Sequence, residues 1–363
     1  MQHITFTVTN DLNYDQRMIR ICNSLKNAGY EVTLVGRKLQ SSKPLINQAF
    51  RQRRLNCFFE KGKLFYVEYN LRLLIYLLFT KTDCICAIDL DSIIPVYHAA
   101  KFRNKKKVYD AHELFCEMKE IVSRPKVYDF WKWIERKYVP HFKLGYTVND
   151  MIAEEFKKMY SVQYPSIRNI AHQKSSAEIV AKEKFILYQG AVNEGRCFET
   201  LIPAMRMVNA PLIICGSGNF LEQTKALVKK YDLEEKVIFK GLVLPEDLNA
   251  ITQKAYIGLT TVEHNGLSNY YSLANRFFDY VQGHTPQVCV NFPVYAALNR
   301  TYEVAEMIDD TTEATIATAI NKLLNNESHW QKLMHDCKKA AEVWNWENEE
   351  RILINFYNQK VFG

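Results

Sequence analysis

No apolar run in this 363-residue chain is long enough to cross a bilayer. The longest uninterrupted one is Leu73–Phe79, far short of the ~20 residues that a spanning helix needs. Cys-x-x-Cys is absent, and no cysteine and histidine stand at zinc-ligand spacing, which argues against a structural zinc module. The nine cysteines are odd in number and scattered. They read as small buried apolar residues of a reduced, cytosolic chain. There is no Gly-Lys-Ser/Thr loop, and Gly216-Ser217-Gly218 lacks the third glycine of a dinucleotide fingerprint. Both absences argue against ATP hydrolysis and NAD binding. No short repeat or low-complexity tract occurs, and Met1-Gln2-His3 leads into a strand pattern rather than a signal peptide.

What is present is globular. Apolar residues make up 48% and charged residues 24%, a balance that excludes a disordered or fibrous chain. The net charge of +7 is too small to argue for nucleic acid, but it is uneven. Residues 1–165 carry 27 Lys/Arg against 17 Asp/Glu, and residues 166–363 carry 20 against 23. Only the first half is suited to an anionic partner such as a membrane surface; scattered solvated lysines are the plain alternative.

Strand and helix patterns alternate along both halves. In the first, short β-branched or apolar runs at Ile4–Thr9, Glu31–Val35, Asp83–Ile88, Lys105–Tyr109 and Leu144–Val148 are separated by helical spacings, among them Arg17–Ala28 and Leu64–Phe79. In the second, strands are expected at Lys184–Gln189, Pro211–Cys215, Lys236–Phe239, Tyr256–Thr261 and Pro286–Asn291. Such alternation implies parallel sheets covered on both faces. A polar segment, Ser161–Lys182, marks the linker. The expected division is residues 1–165, residues 166–343 and an aromatic C-terminal helix over 344–363. Ligands of open α/β sheets bind beyond the strand C-termini.

Four stretches resemble a known family: Asn27-Ala28-Gly29-Tyr30-Glu31-Val32-Thr33-Leu34-Val35, Tyr109-Asp110-Ala111-His112-Glu113, Gly190-Ala191-Val192-Asn193-Glu194-Gly195-Arg196, and Glu263-His264-Asn265-Gly266-Leu267 leading to Phe278-Asp279-Tyr280. In their order and spacing the chain resembles the GT-B glycosyltransferases, near the retaining family-4 (group 1) enzymes of bacterial surface-polysaccharide synthesis. The resemblance implies two Rossmann-like domains facing a central cleft, with the C-terminal helix, carrying Trp344, Trp346 and Phe356, crossing back onto the N-terminal domain. It implies transfer of a sugar from a UDP- or GDP-type nucleotide sugar to a glycan or lipid-linked glycan. Retention of configuration, no metal and no separate cofactor go with it. A nucleotide-sugar 2-epimerase of the same fold, or a non-catalytic glycan- or nucleotide-binding module, are the alternatives.

The resemblance also implies roles for residues. The family has two glutamates with seven residues between them. Here Glu263 fits the first, and Asp279 stands where the second would, with fifteen residues between them. Glu263 is thereby expected at the donor sugar and Asp279 at the ribose diol, where a carboxylate accepts two hydrogen bonds. Backbone N–H groups at Gly266, Leu267 and Ser268 are expected near phosphate, with Gly216 lining the cleft or simply turning the chain. The family's diphosphate-binding Arg–Lys pair is reduced: Arg196 takes the Lys position and Ala191 the Arg position. His112 is expected near the donor sugar, to bond a hydroxyl or assist proton movement. Asn10, Asp11 and Arg17 replace a glycine-rich loop and are read as acceptor contacts or helix caps. Asn269, Asn275 and Arg276, in the stretch between the two acids, are read as nucleotide contacts or a helix start.

Two features allow further readings. Asp89-Leu90-Asp91 has the form of a divalent-metal motif, against which the two-domain pattern stands. Arg51–Arg54 beside Leu64–Phe79 joins a basic cluster to an apolar helix. This pairing suits peripheral contact with an anionic membrane at the inner face of a cell, although an apolar stripe is more often core.

Overall fold

The computed structural model describes residues 1–13, 15–173 and 180–363. Tyr14, in the polar loop after the first strand, and residues 174–179, inside the segment read as the linker, lie outside the described residues. Two compact units are present: residues 1–169 with 349–363, and residues 170–348.

The N-terminal unit is built on β1 (His3–Thr7), β2 (Glu31–Lys38), β3 (Arg51–Asn56), β4 (Cys84–Ile88), β5 (Lys106–Ala111) and β6 (Leu144–Thr147). All pair in parallel, in the order β3-β2-β1-β4-β5-β6. The order reverses between β1 and β4, which opens a crevice at their C-terminal ends. β4 reads Cys-Ile-Cys-Ala-Ile and is buried throughout, as a central strand covered on both faces must be. Helix α1 (Gln16–Asn27) starts where Asp15 accepts the Met18 N–H, and buries Met18, Ile21, Cys22 and Leu25. It stops at Gly29, with the Tyr30 N–H returning to the Leu25 carbonyl.

Strand β3 was not expected from the sequence. Its residues, Arg-Gln-Arg-Arg-Leu-Asn, show no apolar alternation because it is an edge strand, and charge on an edge blocks pairing with other chains. Arg51–Arg54 is thus part of a sheet rather than a free basic cluster. The start of the expected linker is also ordered: the Thr147 N–H donates to the Pro165 carbonyl at 3.0 Å, and the Ile167 N–H to the Thr147 carbonyl at 2.7 Å.

The C-terminal unit repeats the plan with β7 (Glu183–Gln189), β8 (Leu212–Cys215), β9 (Val237–Gly241), β10 (Ala255–Thr260), β11 (Gln287–Val290) and β12 (Ala305–Ile308). The order is β12-β11-β10-β7-β8-β9, again all parallel, so β7 and β10 flank the reversal. The helix Asn275–Gln282 lies tight on these strands. A Cβ on Gly258 of β10 would come within 2.5 Å of the Tyr280 ring, and Tyr280 Oη donates to the Leu187 carbonyl at 2.8 Å.

The aromatic tail divides where the sequence did not show it. Trp344 packs on Phe277 and Phe278 within the C-terminal unit, and the Trp346 N–H donates to the Ala171 carbonyl there. Only from Glu349 does the chain belong to the N-terminal unit. There Tyr357 packs against Phe6, Tyr30 and Tyr146.

Candidate functional site

In the C-terminal unit, the chain leaves β7 at Gln189 and turns through Gly190 to Arg196; it leaves β10 at Thr260 and runs to Glu263. Backbone bonds tie these two loops together. The Glu263 N–H donates to the Gly195 carbonyl at 3.0 Å, and Thr261 Oγ1 to the Arg196 carbonyl at 3.3 Å. Behind them, Gly216 fits a third loop against the first: at its φ of +156°, a Cβ would lie 1.8 Å from the Gly190 carbonyl oxygen. The Gly216-Ser217-Gly218 turn is therefore a close approach of backbones, and Gly216 does not line the cavity beside it.

That cavity has a volume of about 390 Å³ and is lined by Gln189, Arg196, Asn275, Arg276 and Asp279 among others. Arg276 is buried and anchored: it donates to the Gln189 carbonyl at 3.4 Å and the Thr261 carbonyl at 3.2 Å, and its guanidinium sits 4.6 Å from the Tyr188 ring centroid. Its Nε has no acceptor. Arg196 is half-buried, and among the described residues it has neither a hydrogen-bond acceptor nor an ion pair. Burial, and then the neighbouring Arg276 charge, lower its pKa. Two guanidinium groups thus share one cavity, and no carboxylate is paired with either among the described residues. Asp279 is held by Gln189, whose Nε2 donates to Asp279 Oδ2 at 3.0 Å. The amide is oriented in turn by Thr252 Oγ1, which donates to Gln189 Oε1 at 2.7 Å.

The structure therefore brings Arg196, Asn275, Arg276 and Asp279 together. Arg276 stands in the same cavity as Arg196, on the helix that follows the long Glu263 loop. Gln189 was missed, because a glutamine ending an apolar strand carries no signal of its own. Glu263, Gly266, Leu267 and Ser268 lie on the neighbouring loop rather than in the cavity wall. Asn265 Nδ2 donates to Glu263 Oε2 at 3.3 Å, and Asn269 bonds Asn265 in turn. Gly266, with φ +142°, begins a one-turn helix, Leu267–Tyr270.

In the N-terminal unit, a charged network gathers at the ends of β4 and β5. The His112 ring lies between two carboxylates: Nδ1 is 3.4 Å from Asp89 Oδ2 and Nε2 is 3.1 Å from Asp110 Oδ2. Burial pushes the imidazolium pKa down, but the Asp110 and Asp89 charges outweigh it and hold the pKa at about 9. Asp110 is fully buried, which raises its pKa; the Arg17 and His112 charges reverse that and keep it ionised. The two carboxylates thus favour the protonated ring, while the Arg17 Nε–H aimed at Nε2 favours a lone pair on that nitrogen.

Arg17, read as an acceptor contact, is turned inward beneath this network. It donates to Asp110 Oδ1 and the Ile167 carbonyl, each at 3.1 Å, and its Nε lies 3.0 Å from His112 Nε2. Asp11 is likewise structural: it accepts from the Asn13 N–H and pairs with Arg54 and Ser42. Burial raises its pKa, but these hydrogen bonds outweigh it and bring it below the ordinary value. Asn10 is exposed, its Nδ2 3.4 Å from Asp15 Oδ2, and Asp15 rather than Asn10 or Asp11 caps α1. The two acids of Asp89-Leu90-Asp91 diverge: Asp89 Oδ1 accepts the His112 N–H, and Asp91 Oδ2 accepts from Thr9. No group of three His, Cys, Asp or Glu side chains placed to hold a metal ion occurs among the described residues.

Residues 169–344 match the family described as glycosyl transferases group 1. An N-acetylgalactosamine-N,N'-diacetylbacillosaminyl-diphospho-undecaprenol 4-alpha-N-acetylgalactosaminyltransferase of Campylobacter jejuni is 37% identical over 71 residues, which is 19% of this chain and only 20% of that relative's length. The sucrose-phosphate synthase (tll1590) of Thermosynechococcus elongatus superposes with a TM-score of 0.81 at 17% identity, covering 99% of each chain. Anabaena Alr3699/HepE, solved in complex with UDP and glucose, gives a TM-score of 0.78 at 10% identity, over 99% of this chain and 100% of that one. These structural likenesses show the fold, which is GT-B.

Proposed function

We propose that this chain, a glycosyltransferase whose residues 169–344 form a group 1 domain, moves a sugar from a nucleoside diphosphate donor to a glycan or lipid-linked glycan, with retention and without a metal. The observation that carries this reading is the cavity at the β7/β10 reversal, where Arg196 and Arg276 face one space with Asp279. Two guanidinium groups without carboxylate partners suit a diphosphate, to which each donates parallel hydrogen bonds. Asp279, held by Gln189, accepts from the ribose diol. Glu263, on the loop bonded to the Arg196 loop, faces the donor sugar, and Gly266–Ser268 add backbone N–H groups. As the bond from the sugar carbon to the diphosphate oxygen breaks, negative charge grows on the leaving diphosphate. Cations already fixed in place stabilise that charge without reorganising. In the N-terminal unit, taken as the acceptor side, His112 bonds a sugar hydroxyl or assists proton movement, in surroundings that favour its imidazolium.

The lipid-linked acceptor draws support from the Campylobacter relative, whose name includes a diphospho-undecaprenol. No helix among the described residues is long and apolar enough to cross a membrane. However, helix α2 (Gly62–Phe79) has two apolar faces. Phe65, Tyr69, Leu73 and Leu77 are buried, while Leu64, Val67, Leu71, Ile75 and Phe79 are all more than half exposed. The exposed five recur every three or four residues and so form one stripe, ~22 Å long at 1.5 Å per residue. This supports peripheral binding of the unit to an anionic bilayer.

The test is thermal stabilisation by UDP, GDP, ADP, CMP and dTDP, with and without Mg²⁺. A shift with one diphosphate that needs no Mg²⁺ and is lost in Arg196→Ala and Asp279→Ala is expected. No shift with any of them would overturn the donor site. Formation of an epimer from donor alone would replace the transferase by a nucleotide-sugar epimerase.

A further inference from the structure

A second cavity of the C-terminal unit, of about 340 Å³, lies at the opposite end of the sheet. Lys182 precedes β7, Tyr256 is the second residue of β10, and His284 stands just before β11. The donor cavity opens where β7 ends, so the seven residues of β7 separate the two by ~20 Å. The lining carries three lysines, Lys182, Lys184 and Lys338, with His284 beside them, against one acid, Glu327. That acid is already engaged, since Oε2 accepts from Tyr256 Oη at 2.9 Å and Oε1 from Gln331 at 3.0 Å. None of the three lysines forms an ion pair among the described residues.

Lys182 is the central group. Its Nζ donates to the Gly283 carbonyl at 2.8 Å and to Thr285 Oγ1 at 2.7 Å. The Thr285 hydroxyl spends its own proton on the Thr252 carbonyl at 2.7 Å, so towards Lys182 it acts only as an acceptor. An ammonium has three N–H groups; two are fixed on neutral oxygens and one remains. Burial drives the Lys182 pKa down to about 7. Burial, followed by the Lys182 and Lys338 charges, drives His284 down to about 4. Among the described residues, the cavity thus holds three lysines with no acid paired to them and a neutral imidazole beside them. One wall is apolar, formed by Met334 and by Trp330, which stacks on Tyr256 at a centroid distance of 4.3 Å.

We propose that this cavity is a second binding site, for a small phosphorylated metabolite whose phosphate sits among Lys182, Lys338 and His284 and whose organic part lies along Trp330 and Met334. An enclosure of this size admits a small molecule rather than a chain. A phosphate there accepts charge-assisted hydrogen bonds from groups that burial otherwise penalises. The site is independent of the donor reading, because none of its residues lines the donor cavity.

The test titrates inorganic phosphate into the full chain and follows the His284 ring proton by NMR, assigned with His284→Asn. A saturable shift is expected, with the His284 midpoint moving upward as the anion favours the imidazolium. Lys338→Gln, on the helix Glu327–Val343, is expected to weaken phosphate binding about tenfold or more, the worth of one charge-assisted hydrogen bond; Lys182→Met should do the same. Arg196→Ala, which removes a cation from the donor cavity alone, should leave the titration unchanged. A His284 signal that does not respond, or a response that Lys338→Gln leaves intact, overturns the proposal. A response lost in Arg196→Ala also overturns it, by placing the phosphate in the donor cavity. If Lys182→Met fails to fold, Lys338→Gln carries the test alone.

Discussion

Arg196 and Arg276 are eighty residues apart, yet they line the same cavity. On the proposed reading both face the donor diphosphate, because the loop after β7 carries Arg196 but Ala191 at the other place. Arg196→Ala is expected to weaken nucleoside diphosphate binding about 10- to 100-fold in calorimetric titration, in line with the loss of one or two charge-assisted bonds. Arg276→Ala is the less informative variant. It also leaves the Gln189 and Thr261 carbonyls without a donor, so it should lower stability as well as affinity. In the N-terminal unit, His112 gives a pH signature. Its folded pKa of about 9 lies above the ordinary 6.5. Its contribution to stability is therefore complete below about 6.5 and is lost as pH rises through about 9. Glu113, raised to about 7 by burial and then by the Asp89 charge, has the same sign and is lost as pH rises through about 7. Lys182, lowered to about 7, works in the opposite direction over the window above pH 7. Comparison with His112→Gln subtracts the Lys182 contribution, whose causes do not include His112. The melting temperature of the parent is expected to fall more steeply than that of His112→Gln between pH 7 and 9.5; parallel slopes would mean that the ring is neutral in the fold.

At the scale of elements, helix α2 shows what a sequence pattern leaves open. Leu64–Phe79 is apolar nearly all round, and such a helix is ordinarily interior. The fold buries the face carrying Phe65, Tyr69, Leu73 and Leu77 and leaves the other in water. Its one acid, Glu68, is occupied by Arg72 and by the Phe58 and Phe59 N–H groups, so little repels an anionic surface. Leu71→Glu with Ile75→Glu is expected to abolish co-sedimentation with phosphatidylglycerol vesicles while leaving the melting temperature nearly unchanged. Loss of vesicle binding accompanied by loss of a dimer would assign the stripe to a second copy of the chain instead. Strand β3 is the converse case: it was illegible because an edge strand spends its side chains on charge, not on alternation. Gly216 shows the limit of motif reading. It belongs to a recognisable Gly-Ser-Gly turn, but its task is to let the Gly190 carbonyl come close.

For the whole molecule, the last fifteen residues are a structural part of the first unit. Deleting 349–363 uncovers the surface that Phe356, Tyr357 and Val361 bury against the N-terminal sheet. At ~1.5–3 kcal/mol per buried side chain, this costs about 5 kcal/mol or more. Hydrogen exchange of β1 and β6 peptides is expected to accelerate, whereas nucleotide protection around Arg196 and Asp279 persists, since the donor cavity lies wholly within residues 170–348. The sequence by itself determined the alternation of strands and helices, the parallel sheets, the loops that carry Arg196, Glu263 and His112, and the helix that carries Asp279. These are local properties, because period, helix stops and strand ends are written in neighbouring residues. Only the tertiary structure decided that Arg276 shares a cavity with Arg196, that Asp110 and Asp89 flank the His112 ring and raise its pKa, and that three lysines with no ion pair among the described residues meet at the far end of the second sheet. Those outcomes depend on which strand ends lie side by side and on what burial leaves unpaired, and neither is a property of any one segment.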